Sequence, residues 1–293
     1  MSMKSVLNAQ RLIQLSQFHP KLQNIWYLVA AVTFSVCNHP QELPKLYHYA
    51  LALSNENADI HRITLAGKCN DMVDNCMRRP DLRESIINEG FQQPSILHST
   101  ITRKFRESIL KSGPLAGLPK AINGLHSLKE YTPLSLLPSV SREIDPWHAS
   151  VNNCRPYMSN EESKTGTGRV EEDFEDREVA MQRGLKHWNS IYNKVSQRII
   201  NNMNSSYPDL WYYTLVHVYG PLLSNDEVLS AQETSFIVIA ALVPQDVNPQ
   251  LKGHLRGALN IGCDREAIEA TRSLAILVAK WCGVTWHADI VKL

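Results

Sequence analysis

The chain of 293 residues predicts an all-α protein. Apolar residues recur at intervals of three and four in segment after segment, and no segment alternates apolar and polar residues between tight-turn dipeptides. Proline and glycine fall where helices would begin and end. At this length either one large domain or two ordinary ones buries a core that needs no cross-links.

Taken in order, Leu22 to Cys37 carries apolar residues on nearly every face and reads as a buried helix opened by Pro20. Pro40 opens an amphipathic segment from Gln41 to Leu53. A polar stretch with Cys69, Met72, Val73 and Cys76 at helical spacing breaks at Arg79-Pro80. Cys69 and Cys76, with His61 upstream, read as core thiols rather than metal ligands. Pro94 begins a helix through Phe105 and Ile109 to Ser112, ended by Gly113-Pro114. Residues 131–176 read as a linker, because Pro133, Pro138, Pro146 and Pro156 interrupt any pattern and Ser159 to Asp176 is charged, which implies mobility in its second half. Gly166-Thr167-Gly168 lacks a preceding strand and a following Gly-Lys-Ser/Thr, so it is linker and not a phosphate loop.

Beyond the linker, Val179 to Met203 reads as one long helix with Met181, Leu185, Trp188, Tyr192 and Val195 on a face. Asp209 to Val218 follows, stopped by Gly220-Pro221. Asp226 or Ser230 can cap the helix holding Phe236 to Leu242, and Asn248 with Pro249 starts the next. Gly262 ends that helix, and Asp264 caps a last one whose Ile268, Thr271, Leu274, Ala275, Val278 and Trp281 form one apolar stripe.

Thirty Lys and Arg against 29 Asp and Glu leave a formal charge of +1, which gives no electrostatic footprint for a nucleic acid or an anionic membrane. The longest apolar run, Ile25 to Cys37, falls well short of the roughly 20 residues that span a bilayer, and no charged-then-apolar leader opens the chain. The expectation is a soluble protein that is not secreted. Six scattered cysteines with no Cys-x-x-Cys fit reduced thiols better than a disulfide frame or a zinc site. Val291-Lys292-Leu293 ends in the Lys-Leu of a type-1 peroxisomal signal, with Val in place of the usual small residue, so an import receptor is a candidate partner and the address is peroxisomal or cytoplasmic.

Three runs carry a family likeness: Glu233-Thr-Ser-Phe-Ile-Val-Ile-Ala-Ala-Leu, Pro249-Gln-Leu-Lys-Gly-His-Leu-Arg-Gly-Ala-Leu-Asn-Ile-Gly262 and Arg265-Glu-Ala-Ile-Glu-Ala-Thr-Arg-Ser-Leu-Ala. Together they resemble the core of the carboxymuconolactone decarboxylase family, which includes the alkylhydroperoxidase D-like proteins. The resemblance implies an alkylhydroperoxidase D-like helical bundle. Weaker matches in the first half suggest two degenerate copies: Val29-Ala30-Ala31 and Ala50-Leu51 are spaced much as Ile239-Ala240-Ala241 and Ala258-Leu259 are, and Gly117-Leu118-Pro119 matches Gly283-Val284-Thr285. The expected units are residues 1–130 (degenerate copy), 131–176 (linker) and 177–293 (family-like copy).

On a helical wheel with Leu251 at zero, Leu255 and Ala258 share the buried stripe and His254 sits at its edge, where an imidazole can be partly desolvated yet face a cleft. The bland reading is a helix histidine bonded to a backbone carbonyl. The resemblance implies that His254 moves a proton during loss of carbon dioxide from a small unsaturated or lactone carboxylic acid, a step needing no metal or organic cofactor. Arg256 points to solvent or to another subunit, where it can bind a carboxylate across an interface, although a surface salt bridge is the default. Tyr219 and His217, beside Trp211-Tyr212-Tyr213, can line a substrate pocket, although core aromatics are the default. Glu233 reads as a charge at a helix start, with Ser235 the nearer match to an acidic residue of peroxidase-type relatives; Asn260 reads as a helix-ending residue. Those relatives carry two cysteines seven and four residues before the histidine; here Val247 and Gln250 stand there, and neither Cys263 nor Cys282 has a partner nearby in sequence, so this is not a thiol peroxidase at that place. Aligning the halves puts Leu46 opposite His254 and His48 opposite Arg256. The alternative function is a non-catalytic ligand-binding or structural protein, and the resemblance implies a homo-oligomer in either case.

Overall fold

The computed structural model describes residues 5–54, 62–137 and 177–293, and among them every regular element is helical. His61, Cys154 and Gly166-Thr167-Gly168 lie outside the described residues, as does most of the expected linker. The helices are α1 (Ala9–Ser16), α2 (Trp26–Val36), α3 (Leu43–Leu53), α4 (Arg62–Arg78), α5 (Arg83–Asn88), α6 (Ile96–Ala116) and α7 (Leu118–Glu130), then α8 (Arg177–Tyr192), α9 (Ser196–Ser206), α10 (Pro208–Tyr213), a π-helical segment (Thr214–Leu223), α11 (Ala231–Leu242), α12 (Asn248–Asn260) and α13 (Arg265–Trp281). No described helix is long and apolar enough to cross a membrane.

Two helices form the centre. Every residue of α2 is buried, as is α11 from Ile237 to Leu242, which is what apolar residues on all faces dictate. α2 and α11 pack on each other, and each also packs on α6 and α13. One apolar cluster therefore runs without a break from Leu7 to Val278. Cys69 and Cys76 are both buried, as expected of core thiols, the first in the main cluster and the second in a small one with Val73, Ile87 and Tyr131.

Three expected helix boundaries are corrected. Gly113-Pro114 does not end α6, which runs on to Ala116 and closes at Gly117 (φ 109°), whose N–H returns to the Gly113 carbonyl at 2.8 Å. Pro114 denies a hydrogen bond to the carbonyl of Leu110, but Leu110 lies at the surface, where water can take that carbonyl. Gly220-Pro221 is likewise no stop and lies inside the π-helical segment, where the N–H of Ser224 bonds across it to the Tyr219 carbonyl at 2.9 Å. The expected helix from Val179 to Met203 is two helices, because Asn193 adopts φ 47°, a left-handed conformation that Asn tolerates, and turns the chain between α8 and α9.

Local chemistry sets an end of each of the last three helices. Ser230 and Glu233 make a reciprocal capping box, with Ser230 Oγ accepting from Glu233 N at 3.2 Å and Glu233 Oε2 accepting from Ser230 N at 2.9 Å. Asp264 caps α13 by accepting from Ala267 N at 3.1 Å, and Gly262 (φ 88°) ends α12.

Candidate functional site

The crossing of α8 on the π-helical segment fixes the site. Gly184 and Gly220 meet backbone to backbone there: a Cβ on Gly184 would lie 2.6 Å from Gly220 N, and one on Gly220 would lie 3.0 Å from the Ala180 carbonyl oxygen. That close approach brings Trp188 and Tyr192 of α8 against Tyr219. Trp188 sits at the middle of an aromatic box, its ring centroid 4.2 Å from Tyr192, 4.8 Å from Trp211 and 4.8 Å from Tyr219. Its indole Nε1 is buried with no hydrogen-bond partner among the described residues.

α12 closes the box from another side. Gly257 allows it to approach α8, since a Cβ there would fall 2.4 Å from Ile191 Cγ2, and Asn260 donates to the Ile191 carbonyl at 2.7 Å. One turn earlier His254, 8% exposed, places Nε2 3.2 Å from Tyr192 Oη, which is 3.4 Å from Tyr219 Oη. Burial, followed by the nearby His187, lowers the His254 pKa to about 4, so the imidazole is neutral at pH 7. Burial also raises both tyrosines, so their hydroxyls keep their protons. A neutral imidazole joined to two hydroxyls is a chain along which a proton can be handed on, because each member both donates and accepts.

A cationic flank adjoins it. Lys111 of α6 is fully buried and donates to the Asn225 carbonyl at 2.7 Å and to Thr234 Oγ1 at 2.8 Å, with Glu107 Oε1 3.9 Å away. His187 feels burial first and Lys111 second, and its pKa also falls to about 4, while Asp226 opposes. Lys111, His187 and His254 thus form one electrostatically linked row.

Of the residues singled out in the sequence, His254 and Tyr219 are brought together. Arg256 is exposed on the outer face of α12, as its place on the wheel implies, and His217 is exposed against Tyr212 and Tyr213. Neither touches His254 among the described contacts. Sequence reasoning missed Tyr192, which it placed on an apolar stripe, and Lys111, whose only local signal is a Glu107/Lys111 pair on a helix that buries both. Val291 and Leu293 are half-buried: Arg272 Nε donates to the Val291 carbonyl at 2.6 Å and Nη2 to that of Ile290, while Val291 N donates to Asn248 at 2.9 Å and Leu293 N to Glu269 at 2.8 Å.

The family model for the carboxymuconolactone decarboxylase family matches residues 210–292, from α10 through α13. Over 292 residues the chain is 61% identical to Peroxisomal protein 2 of Saccharomyces cerevisiae, covering 99% of this chain and all of that one. The chain belongs to the carboxymuconolactone decarboxylase family. Peroxisomal protein 2 of Schizosaccharomyces pombe is 36% identical over 215 residues, 73% of this chain and 85% of that one. No solved structure matches. The family region supplies His254, Tyr219 and Trp211, whereas Trp188, Tyr192 and Lys111 come from outside it.

Proposed function

We propose that this peroxisomal family member binds a small, flat carboxylic acid, unsaturated or lactone-bearing, and uses His254 as the acid/base group for its decarboxylation without metal or organic cofactor. The observation that carries this is the hydrogen-bonded chain His254–Tyr192–Tyr219 beside the unpartnered indole N–H of Trp188. A buried donor without an acceptor costs about 1–3 kcal/mol, and a ligand oxygen placed there removes that cost. With a pKa of about 4 the free histidine is a base, not an acid, at neutral pH. A substrate carboxylate nearby raises it by charge attraction, so the imidazole becomes protonated when the group to be lost is in place and can then protonate the carbanion that carbon dioxide leaves behind.

Metabolite profiling of the purified full-length chain, with carbon dioxide release followed over a panel of such acids, tests the reading. Wild type turns over one of them and His254→Gln loses about 10²–10⁴ of the rate. Retained turnover in a folded His254→Gln protein removes the proposal.

A second reading, a ligand-binding or structural protein without chemistry, is favoured by the close packing of α12 on α8 at Gly257 and by the 8% exposure of His254. Both readings keep a homo-oligomer, for which the exposed Tyr207, Leu210 and Tyr213 offer apolar surface and which light scattering tests. His217 and Arg256, both exposed, are proposed to contact a neighbouring copy or a substrate entering from it. The reciprocal packing of α2 and α11 on α6 and α13 supports the reading of two degenerate copies. An import receptor reading Val291, Lys292 and Leu293 must first displace the bonds from Arg272, Asn248 and Glu269; a reporter carrying these residues that stays diffuse counts against import through them.

A further inference from the structure

α2 and α13 run in the same direction. Near their N-terminal ends His19 lies 3.3 Å from Glu266 and Lys21 lies 3.4 Å from Asp264. At the other end the two helices close with the same cap. Cys37 ends α2, Asn38 follows at φ 57°, and the N–H groups of Asn38 and His39 return to the carbonyls of Ser35 and Phe34, both at 2.9 Å. Cys282 ends α13, Gly283 follows at φ 82°, and the N–H groups of Gly283 and Val284 return to Lys280 and Ala279, both at 3.0 Å. Equivalent caps on neighbouring, packed helices hold the two cysteines in equivalent places at the same end of the pair, near enough for each thiol to act on the other. Cys282, which has no partner nearby in sequence, has one in space from the other half of the chain.

The chemistry of the pair is asymmetric. The hydrogen bond from Cys282, aided by the Lys120 ammonium, holds the Cys37 thiol below its ordinary pKa against an opposing effect of burial. The same bond, together with burial and Glu42, pushes Cys282 up. Both residues are half-buried and so within reach of a small oxidant, whereas Cys69, Cys76 and Cys263 are buried. Burial alone pushes Cys69 to about 12 and Cys263 to about 11. A thiolate that is both favoured and reachable is the one that reacts.

We propose that Cys37 and Cys282 are a reversible disulfide site, oxidised by a hydroperoxide, that joins the C-terminal ends of α2 and α13 and locks the two halves of the chain together. The Cys37 sulfur attacks one peroxide oxygen, the O–O bond breaks, and the departing oxygen takes a proton and leaves as water (as an alcohol from an organic hydroperoxide), leaving a sulfenic acid on Cys37. The Cys282 sulfur then attacks the Cys37 sulfur; the S–S bond forms, the S–O bond breaks, and the hydroxide leaves as water with the Cys282 proton. Two electrons pass from the thiols to the peroxide. The site is separate from the family's two-cysteine position, where Val247 and Gln250 stand, and it does not depend on the role of His254.

The test uses the reduced full-length chain titrated with hydrogen peroxide, quenched by alkylation and mapped by peptide mass spectrometry without reductant. The expected product is a peptide pair joined through Cys37 and Cys282, lost on adding dithiothreitol, in a protein that melts several degrees higher because the closed loop spans most of the chain. In Cys282→Ser, dimedone traps a sulfenic acid on Cys37; in Cys37→Ser, Cys282 stays reduced. Oxidation falling first on Cys69, Cys76, Cys154 or Cys263, or methionine oxidation appearing with no Cys37–Cys282 peptide, overturns the proposal. Mapping on wild type decides the matter even if a serine variant fails to fold.

Discussion

His48 and His254 sit in the two halves of the chain, both buried and both with a low pKa of about 4, yet their partners differ. His48 Nε2 lies 2.8 Å from the backbone carbonyl of Tyr131, an oxygen that only accepts, so the proton is fixed on that nitrogen. His254 Nε2 faces the hydroxyl of Tyr192, which donates or accepts. Burial alone therefore does not distinguish a structural histidine from one that can move a proton. The partner does, and the bland expectation for a helix histidine, a bond to a backbone carbonyl, is what the first half contains.

The comparison breaks most visibly by substitution. His254→Gln is expected to remove about 10²–10⁴ of any turnover, while His48→Gln leaves the rate of folded protein unchanged and costs roughly 1–3 kcal/mol of stability through the Tyr131 carbonyl. Equal loss of turnover in the two variants would mean that His254 acts only through the fold.

The next effect is on pH dependence. Each histidine titrates near 6.5 unfolded and about 4 folded, so above pH 6.5 both states are neutral and stability is full. Between pH 6.5 and 4 the unfolded chain gains protons that the folded one refuses, and stability falls by roughly 3 kcal/mol per histidine. Denaturant unfolding across that window should show one proton less of pH slope in either glutamine variant. A bound carboxylate should shrink the His254 share and leave that of His48 alone.

Gly184→Ala comes third. Its Cβ would meet Gly220 N at 2.6 Å, backbone that cannot swing aside, so α8 must move off the π-helical segment at about 1–3 kcal/mol or more. The shift separates Tyr192 from Tyr219 and should disturb the His254 ring signals in NMR spectra. His48 resonances should stay in place.

What could be read from the sequence was whatever one short segment decides. Ser230 with Glu233, Asp264 and Gly262 set helix ends by bonds reaching three or four residues, and the apolar stripe of α13 needs only its own period. Gly113-Pro114 and Gly220-Pro221 misled because a surface carbonyl and a close crossing, both tertiary facts, let the helices continue. His254 and Tyr219 were legible through family likeness. Tyr192, Trp188 and Lys111 were not, since each sits at helical spacing that suits a core and gains its meaning only from partners that other segments bring to it.

The smallest change is the sharpest. The partner of His48 is main chain and cannot be mutated away, but that of His254 can. Tyr192→Phe keeps the ring against Trp188 and removes only the oxygen that links His254 to Tyr219, which should cost about 1 kcal/mol. Nitrogen NMR of the labelled imidazoles reads the result directly: His254 Nε2 shifts and its tautomer balance changes, while His48 keeps its proton on the nitrogen facing Tyr131. If His254 is as fixed as His48 with and without the Tyr192 hydroxyl, the contrast between the halves disappears and the hydroxyl chain carries no proton.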